Sequence, residues 1–259
     1  MANEKKDNEK NMTVLITGGG TGIGFSLAKR FHREGASVVI CGRREDVLKK
    51  AVENISTQNE RITYVPADIS KEEDIKNLIE QTVKWTDSLD ILINNAGAMR
   101  INKSPQETSL EEWKSVIDTN INGTFLCCRE AAKIMIKQKR GRIVNISSMS
   151  GAIVNKYFHG GSYEVSKAAI NMLTKVLAIE WAPYNISVNA IAPGYYDTKP
   201  NRDFFKTEPG LFKKVTELIP QRHLGNLEEL CDFVFSISTT TANYLTGTVI
   251  PVDGGYTLW

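Results

Sequence analysis

Short, continuously apolar runs alternate with longer amphipathic segments along nearly the whole chain, and this alternation limits the folds that the chain can adopt. The runs have the composition of β-strands, and they lie at residues 13–17, 37–41, 62–66, 89–95, 141–147, 186–193 and 247–255. Strands that are apolar on both faces need cover on both sides, as in a parallel sheet between two helical layers. We therefore predict an α/β fold, a doubly wound parallel sheet of about seven strands with helices on both faces.

Polar residues between these runs mark the starts of helices. Ser70-x-x-Glu73 and Ser109-x-x-Glu112 have the spacing of capping boxes, in which each side chain accepts a hydrogen bond from the other residue's backbone. Asn226 is a good N-cap for the last helix. In open parallel sheets ligands bind beyond the carboxyl ends of the strands, so the residues that follow each strand are the informative ones.

The composition is that of a globular domain without a strong surface charge. The chain has 259 residues, 41% of them hydrophobic, and a formal net charge of +2, so nothing indicates a nucleic acid or membrane partner. We predict a flexible polar tail at residues 1–11, followed by one domain at residues 12–259. No apolar run approaches the ~20 residues that a bilayer-spanning helix needs.

The cysteine pattern argues against disulfides and metal sites. None of the four cysteines belongs to a CxxC pair, and the chain has only three histidines. We therefore predict buried reduced thiols, no metal site and a cytoplasmic location. The cysteines are Cys41, Cys127, Cys128 and Cys231.

A glycine-rich turn, TGGGTGIG, follows the first predicted strand and leads into a helical segment. Glycine permits positive φ and lets backbone N–H groups approach a pyrophosphate, and the positive end of a helix favours phosphate. In this strand–turn–helix context the pattern predicts dinucleotide binding; the alternative is a plain tight turn. The predicted binding residues are Gly18, Thr21, Gly22, Ile23 and Gly24.

The end of the second predicted strand bears on the choice of dinucleotide. An acidic residue there would bond the ribose 2′-hydroxyl of NAD, but the position holds Gly42, and Arg43 and Arg44 follow. A guanidinium matches a phosphate as a bidentate fork. We predict that NADP(H) is preferred, with Arg43 on the 2′-phosphate and NAD(H) still possible; the alternative is a pair of solvated surface charges.

Tyr163 and Lys167 are four positions apart in a segment with helical periodicity, so both side chains lie on one helix face, about 6 Å apart along its axis. A nearby ammonium stabilises phenolate and lowers the pKa of tyrosine from its usual value of about 10. We therefore predict that Tyr163 exchanges a proton with a substrate oxygen. The alternative is an incidental surface pair.

Seven motifs in order make the chain resemble the short-chain dehydrogenase/reductase family across residues 12–259. They are TGGGTGIG, NNAG (94–97), NING (120–123), ISSMSG (146–151), YEVSK (163–167), NAIAPGYYDT (189–198) and DGG (253–255). The resemblance implies a single Rossmann-type domain that interconverts a carbonyl and a secondary alcohol by hydride transfer with NAD(P)(H). It implies a catalytic set of Asn120, Ser148, Tyr163 and Lys167, with Ser147 as the alternative to Ser148.

The resemblance also implies a role for each of these residues. Tyr163 would be the acid/base, and Ser148 would hydrogen-bond the substrate oxygen. Lys167 would hold the nicotinamide ribose as well as act on Tyr163. Asn120 would anchor a water that links Lys167 to solvent.

Further residues are expected around the cofactor. Thr198 would bond the nicotinamide amide, whereas Thr17 would have a structural role in its turn. Asn94 would either approach the adenosine ribose or tie adjacent strands together. The remaining candidates, with Tyr163 and Lys167, are Asp68, Ile69, Asn95, Ala96, Gly97, Pro193 and Gly194.

Residues 195–220 occupy the position of the family's variable substrate lid. They include Tyr195, Phe204, Phe205, Phe212, Lys199, Arg202 and Lys206. The aromatics could close over a substrate and the cations could attract an acid, or the charges could be solvated. Arg100, Asn155 and His159 are further polar candidates at the substrate mouth. This polar rim favours a sugar, polyol or sugar acid as substrate.

Other functions remain open at this point. For a 3-oxoacyl thioester reductase, the stretch IKQKRGR at residues 136–142 could contribute a basic docking patch. A nucleotide-sensing protein without turnover would typically lack the tyrosine or lysine that this chain keeps. The resemblance also implies a homotetramer built through the helices at residues 109–139 and 162–183 and the last strand.

Overall fold

The computed structural model describes residues 12–58, 60–158, 161–208, 210–240 and 244–259. Its strands are β1 Thr13–Thr17, β2 Ser37–Gly42, β3 Ile62–Pro66, β4 Ile91–Asn94, β5 Gly141–Ile146, β6 Ile186–Pro193 and β7 Val249–Val252. They form one parallel sheet in the order β3-β2-β1-β4-β5-β6-β7. The predicted fold class, a doubly wound parallel sheet of about seven strands, is confirmed.

Helices cover both faces of the sheet. They are α1 Gly22–Arg33, α2 Glu45–Ile55, α3 Glu72–Thr86, α4 Leu110–Ile117, α5 Thr124–Gln138, α6 Ser162–Trp181, α7 Lys199–Thr207, α8 Leu211–Leu218 and α9 Leu227–Thr239. A π-helical turn, Asp118–Gly123, joins α4 to α5. The predicted N-terminal tail and His159 lie outside the described residues. No described helix has the length and apolarity needed to cross a membrane.

Alternate residues of each strand face opposite helical layers, because successive side chains of a strand point to opposite faces. In β1, Val14 and Ile16 pack with α1, α2 and α9, whereas Leu15 packs with α3, α5 and α6. All three side chains are fully buried. The continuously apolar runs of the sequence thus correspond to strands covered on both faces.

Two of the three predicted helix starts are confirmed. The backbone N–H of Glu112 donates to Oγ of Ser109 at 3.1 Å, and the backbone N–H of Ser109 donates to Glu112 at 2.9 Å. Asn226 Oδ1 accepts from the backbone N–H of Glu228 at 2.8 Å. Both α4 and α9 therefore begin where the sequence places them.

The predicted capping box at Ser70 is wrong. Helix α3 begins two residues later, at Glu72. The backbone N–H and hydroxyl of Ser70 both donate to Oδ1 of Asp68, at 3.1 and 2.8 Å. This local turn, in which an aspartate accepts from the residue two positions on, competes with the capping box for the same serine.

The order of the strands reverses at β1, which is the first strand in sequence but lies inside the sheet. Val14 is in register with Val38 of β2 on one side and with Ile91 of β4 on the other. The connections that leave β1 and β4 therefore diverge to opposite faces. Such a topological switch point leaves a crevice at the carboxyl ends of the strands.

Candidate active site

A cleft of about 1070 Å³ opens at this switch point. The residues that line it come from the glycine-rich turn after β1, from the ends of β2 to β6, from the end of α4 and the π-helical turn, and from the starts of α6 and α7. All the residues predicted to be catalytic or to contact the cofactor line the cleft, apart from Gly24 and Asn120. The topology therefore brings together segments that are far apart in sequence.

The glycine-rich turn has the geometry that a bound phosphate requires. Gly18 has φ 66° and Gly22 has φ 55°, a region that side chains with a Cβ rarely adopt. A Cβ on Gly24 would lie 2.3 Å from the carbonyl oxygen of Gly18, whereas nothing lies within 4 Å of a Cβ on Gly22. The first N–H groups of α1 thus face open space, and these residues fit the pyrophosphate of a dinucleotide cofactor.

Thr17 and Asn95 hold this turn in shape. The buried hydroxyl of Thr17 accepts from the backbone N–H groups of Asn95 and Ala96, each at 3.0 Å. In return, Nδ2 of Asn95 donates to the carbonyl oxygens of Thr17 and Gly18, at 3.0 and 3.3 Å. The structural role predicted for Thr17 fits these bonds. The side chain of Asn95, which is predicted as a cofactor contact and lines the cleft, also braces the turn.

Asn94 ties two strands together, one of the two roles expected for it. Its Nδ2 donates at 2.9 Å to Oδ1 of Asn145 in β5, and Asn145 in turn donates to Thr174 of α6 at 3.0 Å. All three side chains are buried. Asn94 therefore supports the floor of the site rather than facing a ligand.

The end of β2 carries positive charge at the cleft. Arg43 and Arg44 are exposed and line it. Burial acts to raise the pKa of the Asp68 carboxyl, but hydrogen bonds from Ser70 and the charge of Arg43 outweigh it, so that pKa is lowered. Gly42 takes the place of the acidic residue that would favour NAD. A Cβ on Gly42 would lie 3.6 Å from Leu48, which is an ordinary van der Waals contact.

Ser148, Tyr163 and Lys167 meet at the opposite end of the cleft. The Lys167 ammonium lies 5.7 Å from the ring centroid of Tyr163. Burial raises the pKa of Tyr163, and the neighbouring Ser148 hydroxyl acts to lower it. Oγ of Ser148 accepts from the backbone N–H of Ser150 at 3.1 Å. This bond uses a lone pair, so the proton of the Ser148 hydroxyl remains available to a group in the cleft.

Ser147, the alternative serine, is differently placed. Its hydroxyl lies 2.6 Å from Oδ1 of Asn171 and 3.2 Å from the carbonyl oxygen of Lys167. It is 4% exposed. Its hydrogen bonds therefore hold β5 against α6. Ser148 is the serine whose hydroxyl proton remains available to a ligand in the cleft.

Asn120 lies in the π-helical turn and is buried. Its Oδ1 accepts from the backbone N–H of Ala98 at 2.6 Å, and its Nδ2 donates to Oγ of Ser166 at 2.9 Å. A Cβ on Gly97 would lie 3.2 Å from Asn120 Oδ1 and 3.8 Å from Lys167 Nζ, so the two side chains are neighbours. The Asn120 amide thus fixes the loop after β4 beside Lys167.

Burial dominates the titration of Tyr163 and Lys167. It raises the pKa of Tyr163, against the bond from Ser148 and the charge of Arg100, and it lowers the pKa of Lys167 to about 8. The predicted lowering of the Tyr163 pKa is therefore wrong for the protein without cofactor. The sequence shows the spacing of the pair but not the desolvation that opposes it.

Arg100 and Glu164 form a buried ion pair beside Tyr163. The Arg100 guanidinium lies 4.9 Å from the ring centroid of Phe158 and 5.5 Å from that of Tyr163. Its Nη2 also donates to Oγ of Ser150 at 3.1 Å. The sequence singles out Arg100, but Glu164 was missed; a carboxylate directly after Tyr163 in the YEVSK motif was the available signal.

Asn155 and Tyr195 continue this polar network towards the lid. Asn155 Nδ2 donates to Oγ of Ser150 at 2.8 Å, and the Tyr195 hydroxyl donates to Oδ1 of Asn155 at 3.2 Å. The Tyr195 ring packs 5.6 Å from Tyr256 and 6.2 Å from Phe205. The substrate end therefore combines aromatic surface with fixed hydrogen-bonding groups.

The predicted lid consists of α7 and α8 with their flanking turns. Oγ1 of Thr198 accepts from the backbone N–H of Asn201 at 3.4 Å and so caps α7. The lid cations pair with acids: Arg202 with Asp197 at 2.9 Å, and Lys199 and Lys206 with Asp203 at 3.1 and 3.7 Å. These exposed pairs do not favour attraction of an acidic substrate. The side chain of Phe204 lies outside the described residues.

The cysteines and acidic residues offer no metal site. All four cysteines are buried and free. Within the part of the chain that the structure describes, no group of three or more histidine, cysteine, aspartate or glutamate side chains is placed to hold a metal ion.

The sheet, its switch point and the glycine-lined cleft define a dinucleotide-binding protein of the Rossmann type. The family model of the short-chain dehydrogenases matches residues 12–209. The chain belongs to this family and is an NAD(P)-dependent short-chain oxidoreductase.

Known relatives match the chain over nearly its full length. It is 36% identical to 3beta-hydroxysteroid dehydrogenase 1 of Eggerthella lenta, over 98% of this chain and 96% of that one. It is also 36% identical to glucose 1-dehydrogenase 2 of Bacillus subtilis, over 95% of each chain. The crystal structure of gox2181 superposes with a TM-score of 0.94 at 31% identity and covers 99% of each chain.

Proposed function

We propose that the protein interconverts a carbonyl and a secondary alcohol with NADP(H), and that Tyr163 is the acid/base. The observation that carries the proposal is the convergence of Ser148, Tyr163 and Lys167 at the cleft. When bound, the cofactor supplies the hydride donor or acceptor and, in its oxidised form, a positive charge beside Tyr163.

The residues of the chain provide positioning and proton transfer. The Ser148 hydroxyl donates to the substrate oxygen, since its bond from the backbone N–H of Ser150 uses only a lone pair and leaves its proton available. Tyr163 exchanges a proton at the same oxygen. Lys167, with its pKa lowered to about 8, is poised to return or remove that proton at physiological pH.

Arg43 supports a preference for NADP(H). It is exposed at the end of β2, and its charge is one of the causes that lower the pKa of Asp68. Gly42 adds no carboxylate that would repel a 2′-phosphate. A guanidinium can bond that phosphate with two N–H groups at once. The ribose of NAD(H) has only a hydroxyl at this position and offers no such pair of acceptors.

A neutral, hydroxyl-bearing substrate such as a sugar or polyol fits the substrate end best. Glu164 neutralises the charge of Arg100, and Tyr195 and Phe205 offer ring surfaces. The lid cations are paired with acids, so a sugar acid has less support than a neutral sugar. One of the relatives is named a glucose dehydrogenase, which agrees with this class.

The 3-oxoacyl thioester alternative has less support. Arg140 pairs with Asp90 at 3.1 Å, and Arg142 donates to Ser187 and to the carbonyl oxygen of Thr240. Both arginines lie at the start of β5, at the end of the sheet opposite the cleft. They do not form a free basic patch beside the site.

We also propose that the protein self-associates through α6, as a homotetramer. Met172, Val176 and Ile179 recur on one face of this helix and are 59, 48 and 77% exposed. Exposed apolar stripes of this kind mark interaction surfaces. Size-exclusion chromatography with light scattering measures the assembly directly, and a monomer would contradict it.

The test of the main proposal is Tyr163→Phe, with Tyr184→Phe as the matched control. Tyr184 is half-exposed just beyond α6 and does not line the cleft. NADPH oxidation with a panel of sugars, polyol-derived ketones and cyclic ketones should fall about 10²–10⁴-fold in kcat for Tyr163→Phe alone. NADPH binding, followed by fluorescence, should persist in both variants. Undiminished turnover in Tyr163→Phe would overturn the role of Tyr163, and tight binding without turnover by the wild type would favour a nucleotide sensor.

A further inference from the structure

The ion pair of Arg100 and Glu164 is placed asymmetrically with respect to the cleft. Arg100 lines it, whereas Glu164 is not among the lining residues. The two side chains are 14 and 9% exposed. Oε2 of Glu164 accepts from the backbone N–H of Gly161 at 3.0 Å, which fixes the carboxylate at the start of α6. Glu164 therefore orients Arg100, and only the arginine of the pair is in contact with the cleft.

The hydrogen-bond donors of Arg100 are only partly used. Nη2 donates to Ser150 and forms the ion pair with Oε1 of Glu164, an oxygen that has no hydrogen-bond partner among the described residues. Nε is buried and has no acceptor among the described residues, and none of the described contacts engages Nη1. A guanidinium has five N–H donors, and a buried donor without an acceptor is costly enough that it calls for an explanation. A ligand oxygen would supply one.

The position of these donors relates them to the reacting oxygen. The guanidinium lies 5.5 Å from the ring centroid of Tyr163. Ser150 bonds Arg100 through its side chain and Ser148 through its backbone. One short turn thus fixes both the group that binds the reacting oxygen and the arginine beside it.

We infer that Arg100 is a specificity-determining residue that binds a second, neutral oxygen of the substrate, on the carbon next to the reacting one. The substrate class is then a vicinal diol or its hydroxyketone, and this inference rests on the proposed reaction at Tyr163. A carboxylate is the poorer partner because it would add a second anion beside Glu164. A plain alcohol would leave the donors of Arg100 unpaired.

The test compares cyclohexanol, the vicinal cyclohexanediol and β-hydroxybutyrate as substrates with NADP⁺. The wild type should prefer the diol over cyclohexanol by about tenfold or more in kcat/KM, since a site built to bond a hydroxyl rejects the analogue that lacks it. The double variant Arg100→Met with Glu164→Gln removes both charges together, because a lone buried carboxylate would destabilise the fold. It should lose the preference, so that the ratio of kcat/KM for the diol to kcat/KM for cyclohexanol falls to about one.

The control is Arg33→Met, which removes an exposed arginine at the end of α1 and should keep the preference. An equal diol preference in the double variant would overturn the inference, as would a wild type that prefers β-hydroxybutyrate. Should the double variant fail to bind NADPH, Arg100→Lys is read instead. It keeps the charge but not the fork of donors, so the diol preference should again fall.

A readout without turnover separates this inference from the proposed reaction. In the Tyr163→Phe background with NADP⁺ bound, the diol should raise Tm more than cyclohexanol does, and the double variant should abolish that difference. A Tyr163→Phe protein that stays active but binds the diol selectively would overturn the acid/base role and leave the Arg100 subsite supported. Equal shifts with diol and cyclohexanol would overturn the subsite alone.

Discussion

The ammonium of Lys167 donates a 2.8 Å hydrogen bond to the backbone carbonyl oxygen of Ile146, the last residue of β5. This bond joins the second turn of α6 to the strand that leads directly into Ser148. The amine is buried among neutral groups, and burial lowers its pKa to about 8. Lys167 therefore changes its protonation close to physiological pH, which few lysines do.

Replacement of Lys167 by methionine should change how stability depends on pH. The pKa of Lys167 is about 8 in the folded protein and about 10.4 when unfolded. Between these values the unfolded chain holds more protons, so the contribution of Lys167 to stability rises with pH through this window and is lost as pH falls below it. The wild type should gain on the order of 3 kcal/mol relative to Lys167→Met from about pH 7 to about pH 11. Urea unfolding of both proteins at these two pH values measures the gain, and parallel curves would contradict it.

Gly42→Asp should shift the cofactor preference towards NADH. The Cβ direction of Gly42 is open apart from Leu48 at 3.6 Å, so the fold accommodates the side chain. The new carboxylate would repel a 2′-phosphate and accept from a 2′-hydroxyl. We expect NADPH affinity to fall at least about tenfold, equal to ~1.4 kcal/mol, while NADH affinity rises. Fluorescence titration with both cofactors measures these affinities, and Gly42→Asn is the uncharged control. An unchanged ratio of NADPH to NADH affinity in Gly42→Asp would show that the ribose 2′ position of the cofactor does not lie beside residue 42.

Gly24→Ala should damage the glycine-rich turn. Its Cβ would meet the carbonyl oxygen of Gly18 at 2.3 Å and the Asn95 amide at 2.5 Å, and neither group can move without loss of the hydrogen bonds that shape the turn. We expect a loss of about 1–3 kcal/mol in the free energy of unfolding. Gly161→Ala is the matched control, since nothing lies within 4 Å of its Cβ direction. Equal stability of the two variants in denaturant titrations would show that the turn yields more easily than its contacts indicate.

The thiols should be inert in the native protein. All four cysteines are buried, and burial raises the pKa of Cys41, Cys128 and Cys231 to about 12. The reactive thiolate is therefore scarce as well as inaccessible. Ellman's reagent should label none of the four in the folded protein and all four in denaturant. Rapid labelling of the native protein would indicate local opening at one of these sites.

Much of the fold could be predicted from the sequence because the strands are buried on both faces. Each strand then appears as an uninterrupted apolar run, and the polar caps Ser109 and Asn226 mark the starts of α4 and α9. Ser70 shows the limit of this approach. The sequence around Ser70 matches a capping box, yet its backbone N–H and its hydroxyl both donate to Asp68. No local sequence pattern decides between these two arrangements.

The sequence predicts which residues form the site but not how their side chains pair or how their pKa values shift. Motif spacing identified Ser148, Tyr163 and Lys167, and the structure places all three at the cleft. The pKa of Tyr163 depends on desolvation, and the pairing of Arg100 with Glu164 joins residues from different elements. Both are tertiary properties, which spacing along the chain does not carry.

The strand order has a consequence for the way this protein is made. Val14 pairs with Ile91, and parallel partners need a long crossover, so the central pairing cannot form as a local hairpin. A nascent chain that ends before β4 carries every glycine of the phosphate turn but not the Asn95 side chain that shapes it. Because the turn takes its shape from Asn95, bound cofactor stabilises only chains in which the segment after β4 has already joined β1.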